Sequence, residues 1–124
     1  MQNDIEIYLH CAEPQAICQW LRKVFGQAPE PLNSSDRNRV LRYRIVAGQV
    51  VIPLLLVTRG KWTSVWFNSA MTPWETDVDC ARDAIDCLGG TARCTDGGWQ
   101  EGDDPDCFLE ITPAGTSKVI WQDG

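Results

Sequence analysis

Residues 61–90 read KWTSVWFNSAMTPWETDVDCARDAIDCLGG, and the hydrophobic period changes midway through them. From Trp62 to Asn68 the side chains alternate between two faces, as in a β-strand, and both faces carry large apolar groups. Further on, apolar residues recur at intervals of three and four, which is the period of an amphipathic helix. These residues are Trp74, Val78, Ala81, Ile85 and Leu88. The stretch therefore predicts one strand that leads into one helix.

The predicted helix has a start signal and a stop signal. Thr72-Pro73-Trp74-Glu75 has the form of a capping box, with a hydroxyl residue, proline at the first helical position and glutamate three residues after the cap. Gly89-Gly90 supplies residues that easily adopt the left-handed conformation found at helix C-termini. We therefore expect a helix that begins after Thr72 and ends before Gly89.

The chain before residue 61 predicts a strand, a helix, a loop and two more strands. Proline at the first helical position and Gly26 at the end delimit the helix. Pro53 removes one ladder donor, so its strand is expected at a sheet edge or with a bulge. In order, the predicted elements are a strand at Asp4–His10, a helix opened by Glu13-Pro14, a loop over 27–36, and strands at Arg37–Ala47 and Val50–Thr58.

Three further strands complete the predicted fold, at Thr91–Thr95, Cys107–Thr112 and Ser117–Gln122. The fold class is therefore α+β, with a mostly antiparallel sheet of six to seven strands and two helices on one face. The element order is β-α-β-β-β-α-β-β-β. Because each half opens with a strand followed by a proline-started helix, a degenerate βαββ duplication is a further hypothesis.

Composition places the chain among ordinary globular proteins, and we expect a single domain over residues 1–124. The longest apolar run, Val50–Val57, is interrupted by Pro53 and falls far short of the roughly 18 residues that span a membrane. The N-terminus has no basic segment followed by an apolar one, so no secretion signal is expected. A cytoplasmic location is the resulting prediction.

The net charge of −6 argues against a nucleic-acid partner, because phosphate binding needs clustered cations. The charge is uneven along the chain. Residues 1–62 hold eight Lys or Arg and five Asp or Glu, a net +3, whereas residues 63–124 hold three and twelve, a net −9. Such asymmetry can orient a protein partner or a second copy of the chain. Two solvated surfaces are the simpler explanation.

The six cysteines are expected to be thiols, mostly small buried side chains. No CxxC motif occurs. Cys80 and Cys87 lie seven residues apart on the predicted helix, about 10 Å along its axis, which is too far for a disulfide or for one shared zinc ion. A disulfide between elements and a reactive thiol remain the alternatives.

Alternation on the predicted strands places one set of residues opposite the helices, on an open sheet face. Tryptophan, tyrosine and arginine are enriched at binding hot spots, so this face is the predicted binding site. The candidate binding residues are Tyr8, His10, Arg42, Arg44, Trp62, Trp66 and Asn68. Because large exposed apolar patches are uncommon on monomers, we expect a cover over Trp62 and Trp66. That cover is a partner, a second copy, or the chain's own loops or C-terminal strand with Trp121.

Catalysis and metal binding have little support in the sequence. His10 is the only histidine, so any Ser-His-Asp or Cys-His site would need it, and no nucleophile is indicated. The acidic loop Asp96–Asp106 lacks the alternating spacing of a calcium loop. Arg37, Arg39, Arg42 and Arg44 form one basic cluster that can hold a carboxylate or phosphate, or simply pair with nearby acids. We therefore predict no catalytic residues, no metal and no cofactor.

The layout resembles the paired βαβββ modules of the vicinal-oxygen-chelate (glyoxalase-like) family. That resemblance implies a metal site of histidine and glutamate spread over both halves. In this chain His10 and Glu110 supply two ligands at most, and Asn68 stands where a third is wanted. The layout is also similar to that of bacterial secretion chaperones.

Two functional hypotheses follow from the sequence. The first is a non-catalytic protein-interaction module that binds a protein partner, or itself, through the open sheet face. The alternative is a small-molecule-binding protein or enzyme with a cup on that same face. A flat apolar face with arginines at its rim favours the first, whereas a deep pocket around His10, Arg44 and Glu110 favours the second.

Overall fold

The computed structural model describes residues 4–35, 40–95 and 107–121, which form one antiparallel sheet with two helices. The elements are β1 (Ile5–His10), α1 (Pro14–Phe25), β2 (Glu30–Ser35), β3 (Val40–Ala47), β4 (Val50–Arg59), β5 (Trp62–Phe67), α2 (Asp77–Leu88), β6 (Ala92–Cys94), β7 (Cys107–Thr112) and β8 (Gly115–Ile120). The sheet order is β2-β3-β4-β5-β1-β6-β7-β8. The α+β class and both helices are confirmed, and the sheet has eight strands where six to seven were expected.

The additional strand is β2, which lies within the segment predicted as a loop. The prolines, asparagine and serines of residues 27–36 are typical of loops, and they misled the prediction. β2 is an edge strand that pairs only with β3, and its register shifts between Pro31 and Ser34. An edge strand bonds on one side only, so it tolerates a proline and an irregular register.

Helix α2 begins later than the capping-box motif predicts. Its N-cap is Thr76, whose hydroxyl oxygen accepts a hydrogen bond from the Asp79 backbone N–H at 3.1 Å. Asp77 and Asp79 lie in the first turn, where a negative charge favours a helix N-terminus. The Thr72 hydroxyl instead donates to the Trp74 carbonyl at 3.3 Å. The predicted start at Thr72 was therefore wrong by one turn, whereas the stop at Gly89 is confirmed.

The prediction that Pro53 marks an edge or a bulge was also wrong. β4 lies inside the sheet between β3 and β5, and its register with β3 is continuous. The Pro53 carbonyl accepts a hydrogen bond from the Asn68 backbone N–H at 3.0 Å, so the nitrogen of Pro53 also faces β5. Pairing between β4 and β5 begins only at Leu54–Phe67. The missing N–H of Pro53 therefore lies just beyond the end of β5, so no hydrogen bond between β4 and β5 is lost within the paired residues.

The two helices lie on the same face of the sheet because of how the chain crosses it. α1 connects β1 to the far edge strand β2, and α2 connects β5 to β6 in the opposite direction. Since β1 and β5 are antiparallel, right-handed crossovers in opposite directions place both helices on one face. After α1 the chain returns inward, but after α2 it proceeds outward. The two halves share the element order β-α-β-β-β but differ in where their strands lie in the sheet, so the βαββ duplication stays a hypothesis.

The core lies between this sheet face and the helices, as the alternation predicts. Ile5, Ile7 and Leu9 of β1 are buried, as are Thr63, Val65 and Phe67 of β5. Helix α1 contributes Ile17, Trp20 and Leu21, and α2 contributes Cys80, Ala81, Ala84 and Ile85. Within the described part of the chain, neither helix has the length and apolar character needed to cross a membrane.

Candidate functional site on the open sheet face

The strand registers place the predicted binding residues on the face opposite the helices. Residues paired directly across an antiparallel sheet share a face. His10 pairs with Trp62, and Trp66 pairs with both Glu6 and Leu55. Their buried neighbours in sequence point into the core, so these side chains point away from it. The predicted assignment of these residues to the open face is confirmed. This face divides into two regions of different character.

The first region is an aromatic cluster over the β5, β1 and β7 end of the sheet. It consists of Tyr8, His10, Trp62, Phe108 and Trp121. The Trp121 ring lies 5.2 Å from Tyr8, 4.8 Å from Trp62 and 5.3 Å from Phe108, measured between ring centroids. The His10 ring lies 4.8 Å from Trp62. Among the covers considered, the chain's own Trp121 covers Trp62.

Arg93 of β6 joins this cluster and supplies its charge. Its guanidinium carbon lies 4.7 Å from the Trp62 ring centroid and 5.0 Å from that of Trp121. The guanidinium also forms an ion pair with Glu110 at 2.8 Å, and the two side chains are only 21% and 25% exposed. Cation–π contact and the ion pair therefore hold Arg93 between the two indoles. The sequence prediction missed Arg93, although the flanking Ala92 and Cys94 indicate which face it occupies.

The cluster requires the sheet, together with the chain just after β8, to curve towards the open face. β5 and β8 are separated by three strands, which in a flat sheet corresponds to about 19 Å. The centroids of Trp62 on β5 and Trp121 just after β8 are nevertheless 4.8 Å apart. This end of the face is therefore concave, and the aromatic rings and Arg93 fill the concavity.

Tyr8 lies at the base of the cluster next to an acidic group. Burial, and then the negative charge of Glu6, raise the pKa of Tyr8 to about 12. The Glu6 carboxylate also accepts a hydrogen bond from the Ser64 hydroxyl at 2.8 Å. Tyr8 is therefore a neutral phenol throughout the physiological range, and it serves as a packing group rather than as an acid or base.

The second region is the β4 stripe, a row of apolar side chains formed by Val51, Pro53, Leu55 and Val57. Val51 is 55% exposed and Pro53 is also exposed, whereas Leu55 and Val57 are half-buried. The sequence prediction did not include these residues. The signal was present, because the continuous apolar run Val50–Val57 leaves β4 apolar on both faces.

Arginines and one tryptophan border the β4 stripe. Arg42 and Arg44 on β3 are exposed and pair in register with Leu55 and Pro53. Arg44 also forms a 2.7 Å ion pair with Glu30 on the edge strand β2, in which both side chains are 51% exposed. On the other side, Trp66 is half-buried and its indole N–H donates to the Asp4 carboxylate at 2.5 Å. The stripe therefore has a polar rim, with the arginines on the β3 side and the Asp4 carboxylate on the Trp66 side.

The residues that would form a small-molecule cup are not brought together. His10 is at one end of β1, in the aromatic cluster. Arg44 is three strands away on β3, beside Pro53 and Glu30. Glu110 pairs with Arg93. Asn68 is exposed beyond the end of β5. Within the described residues, no group of three or more His, Cys, Asp or Glu side chains has the geometry to hold a metal ion.

The helix face carries an open cavity of about 480 Å³ between α1 and α2. Its wall includes Trp20 and Trp74, whose rings stack with centroids 5.6 Å apart. The carboxylate of Asp83 accepts both indole N–H groups, at 3.2 Å from Trp20 and 2.9 Å from Trp74. These two bonds tie α2 to α1 through Trp20 and to the segment before α2 through Trp74.

The six cysteines are spread over the core and the surface. No disulfide joins any of the six cysteines, all of which are described. Cys80 and Cys94 are buried, Cys11 and Cys87 are exposed, and Cys18 and Cys107 are half-buried. The acidic loop Asp96–Asp106 lies outside the described residues, as do Arg37 and Arg39, so the predictions for them remain untested.

Comparison of the chain with protein-family models, with curated proteins and with solved structures gives no match. The geometry of the open face is therefore what indicates the function.

Proposed function

We propose that this protein is a non-catalytic interaction module that binds a partner protein through the β4 stripe on its open sheet face. One observation carries the proposal. The stripe is a row of apolar side chains on an interior strand, of which Val51 is 55% exposed and Pro53 is also exposed. The solvated face of an antiparallel sheet is usually polar, and contiguous exposed apolar patches mark interaction sites.

The border of the stripe indicates what kind of partner fits. Trp66 and the arginines are residue types that dominate interface energetics, with an apolar centre and a polar rim. Arg42 and Arg44 give the rim on β3 a positive charge. A protein surface with an apolar ridge flanked by carboxylates is therefore the complementary partner.

The alternative, a small-molecule site on the same face, has less support. A ligand site needs an unfilled concavity with convergent polar groups. The concave end of this face is occupied by the rings of Trp62 and Trp121 with Arg93 between them. The end with the β4 stripe presents exposed side chains rather than an enclosed space.

The test is affinity capture from a native lysate with two matched variants. Val51→Asp places a charge in the stripe, and Met71→Asp places the same charge at an apolar residue that is 65% exposed outside the sheet. We expect wild type and Met71→Asp to retain the same partner in stoichiometric amount and Val51→Asp to lose it. Equal capture by all three would contradict the stripe as the interface.

A thermal-shift screen with small molecules separates the two hypotheses. Under the proposal no compound stabilises the protein in a manner that depends on Val51 or Arg42. A compound whose stabilising effect disappears in Arg42→Gln, together with no stoichiometric protein partner, would favour the small-molecule alternative. Sedimentation of purified Val51→Asp and wild type then shows whether the partner is a second copy bound face to face.

A further inference from the structure

The two edges of the sheet differ in how well they are protected against further strand pairing. On the β2 edge, Pro31 lacks an N–H and the register shifts between Pro31 and Ser34. Proline and irregular register are devices that stop an edge from accepting another strand. β8 has neither, since it pairs with β7 over six consecutive residues from Gly115 to Ile120 without a shift.

The geometry of the β7–β8 hairpin shows which backbone N–H and C=O groups of β8 do not form hydrogen bonds with β7. Thr112 and Gly115 flank a two-residue turn, so they form a hydrogen-bonded pair. Hydrogen-bonded pairs then recur at every second residue, which directs Ser117 and Val119 towards β7. Thr116, Lys118 and Ile120 therefore direct their N–H and C=O groups away from the sheet.

The side chains of β8 suit a strand that is paired on both sides. Thr116, Val119 and Ile120 are β-branched, and Ile120 is 56% exposed. Lys118 is the single charged residue of the strand. The strand therefore has a high intrinsic preference for sheet structure, and Lys118 is the single charge on it that would oppose a second strand.

We propose that β8 is a dimerisation edge that pairs antiparallel with β8 of a second copy of this chain. Antiparallel pairing of identical strands is two-fold symmetric, so the same edge serves both copies. Pairing centred on Val119 places Lys118 opposite Ile120 of the other copy and keeps the two lysines apart. Because the β2 edge is protected, association stops at two copies and does not extend into a fibre.

The β8 edge and the β4 stripe are different surfaces, so the dimer and the partner binding can be disproved independently of each other. β8 offers backbone groups at an edge, whereas the partner surface is the β4 stripe near the other end of the sheet. Dimerisation through β8 leaves both stripes exposed, and the dimer presents two of them.

The test is sedimentation velocity over a concentration series with two variants at one position. Lys118→Pro removes an outward N–H and leaves the bonds to β7 intact, because proline is tolerated at such edge positions. Lys118→Thr changes the side chain and keeps the N–H. We expect wild type and Lys118→Thr to dimerise and Lys118→Pro to stay monomeric. A wild-type monomer at every concentration, or equal dimerisation of Lys118→Pro, would overturn the proposal.

Amide hydrogen exchange tests the same pairing without a variant. The amides of Thr116, Lys118 and Ile120 are expected to gain protection as protein concentration rises. Those of Ser117 and Val119 are bonded to β7 and should be protected at all concentrations. A dimer in which Lys118 and Ile120 amides exchange as fast as in the monomer would place the interface elsewhere and overturn the inference.

Discussion

The indole rings of Trp62 and Trp121 lie with their centroids 4.8 Å apart and tilted by 44°. The two residues are far apart in sequence and belong to parts of the sheet that are separated by three strands. Their contact draws the last described residue over the face opposite the helices. It gives that face a small aromatic core of its own.

Replacing Trp121 is expected to destabilise the protein more than replacing its neighbour. Trp121→Ala removes ring contacts to Tyr8, Trp62 and Phe108, and the expected loss in the free energy of unfolding is about 2 kcal/mol, because the ring is only half-buried. Ile120→Ala is the matched control, with an expected change within about 0.5 kcal/mol at an exposed position. Urea unfolding measures both, and equal losses would show that the aromatic contacts are not stabilising.

Trp66 is expected to matter for binding more than for folding. Its ring is half-buried beside the β4 stripe, and its indole N–H is bonded to Asp4. Trp66→Ala should weaken partner capture and lower the free energy of unfolding by only about 1 kcal/mol. Thermal and urea unfolding measure the second effect. A loss of about 3–5 kcal/mol, as for a deeply buried aromatic residue, would make Trp66 a core residue instead.

Asp83 is expected to be the acidic residue of α2 that stability depends on most. Asp83→Ala leaves the indole N–H groups of Trp20 and Trp74 without their acceptor, although the two rings are only 1% and 5% exposed. The expected cost is about 2–4 kcal/mol, with a smaller loss for Asp83→Asn, which keeps one acceptor oxygen. Asp86→Ala, at an exposed position on the same helix, is the control. Similar effects of the two alanine substitutions in urea unfolding would refute this role.

Alkaline titration is expected to show that the phenol of Tyr8 ionises at a higher pH than an ordinary tyrosine. The chain has two tyrosines, so Tyr43→Phe isolates the absorbance of Tyr8. Its pKa is raised from 10.0 to about 12, so the folded state binds the proton more tightly than the unfolded state. Stability should therefore fall as the pH rises through that window. Glu6→Gln should move the midpoint towards 10. A midpoint already near 10 in folded Tyr43→Phe, checked by circular dichroism, would contradict the burial of Tyr8.

Thiol labelling should follow burial and reach six labels in the unfolded chain. Cys11 and Cys87 are exposed and should react first, whereas buried Cys80 and Cys94 should react only on unfolding. Burial raises the pKa of Cys80 well above its usual value, which further lowers its reactivity. Mass spectrometry after alkylation without reductant counts the labels. Fewer than six in freshly unfolded protein would reveal a disulfide.

The sequence predicted correctly the features that depend on neighbouring residues, namely the faces of β1 and β5 and the ends of α1. Alternation along β1 and β5 assigned each residue to a face, because burial on the helix side requires a period of two. Pro14 and Gly26 marked the ends of α1, because each has a backbone conformation suited to its position. The candidate residues on the open face were placed correctly for the same reason.

The errors arose where contacts distant in sequence decide the structure. β2 is a strand because β3 offers a free edge, although its own residues favour a loop. Pro53 is tolerated inside the sheet because β5 ends beside it. Neither the coiling that brings Trp121 to Trp62 nor the exposure of the β4 stripe can be read from local spacing, since both depend on which strands become neighbours.

β1 precedes the other strands of this sheet in the chain, yet it occupies the interior of the finished sheet. Tyr8 of β1 lies opposite Ser64 on one side and Arg93 on the other, so neither partner exists when β1 leaves the ribosome. Closing such long loops costs entropy before any contact forms, which makes folding slow. During translation the apolar residues Ile5, Ile7 and Leu9 have neither neighbouring strand until β5 is made, and they lack the second one until β6 is made. We therefore expect the main folding step to follow the synthesis of β6, and nascent chains that end before Arg93 to need protection from aggregation.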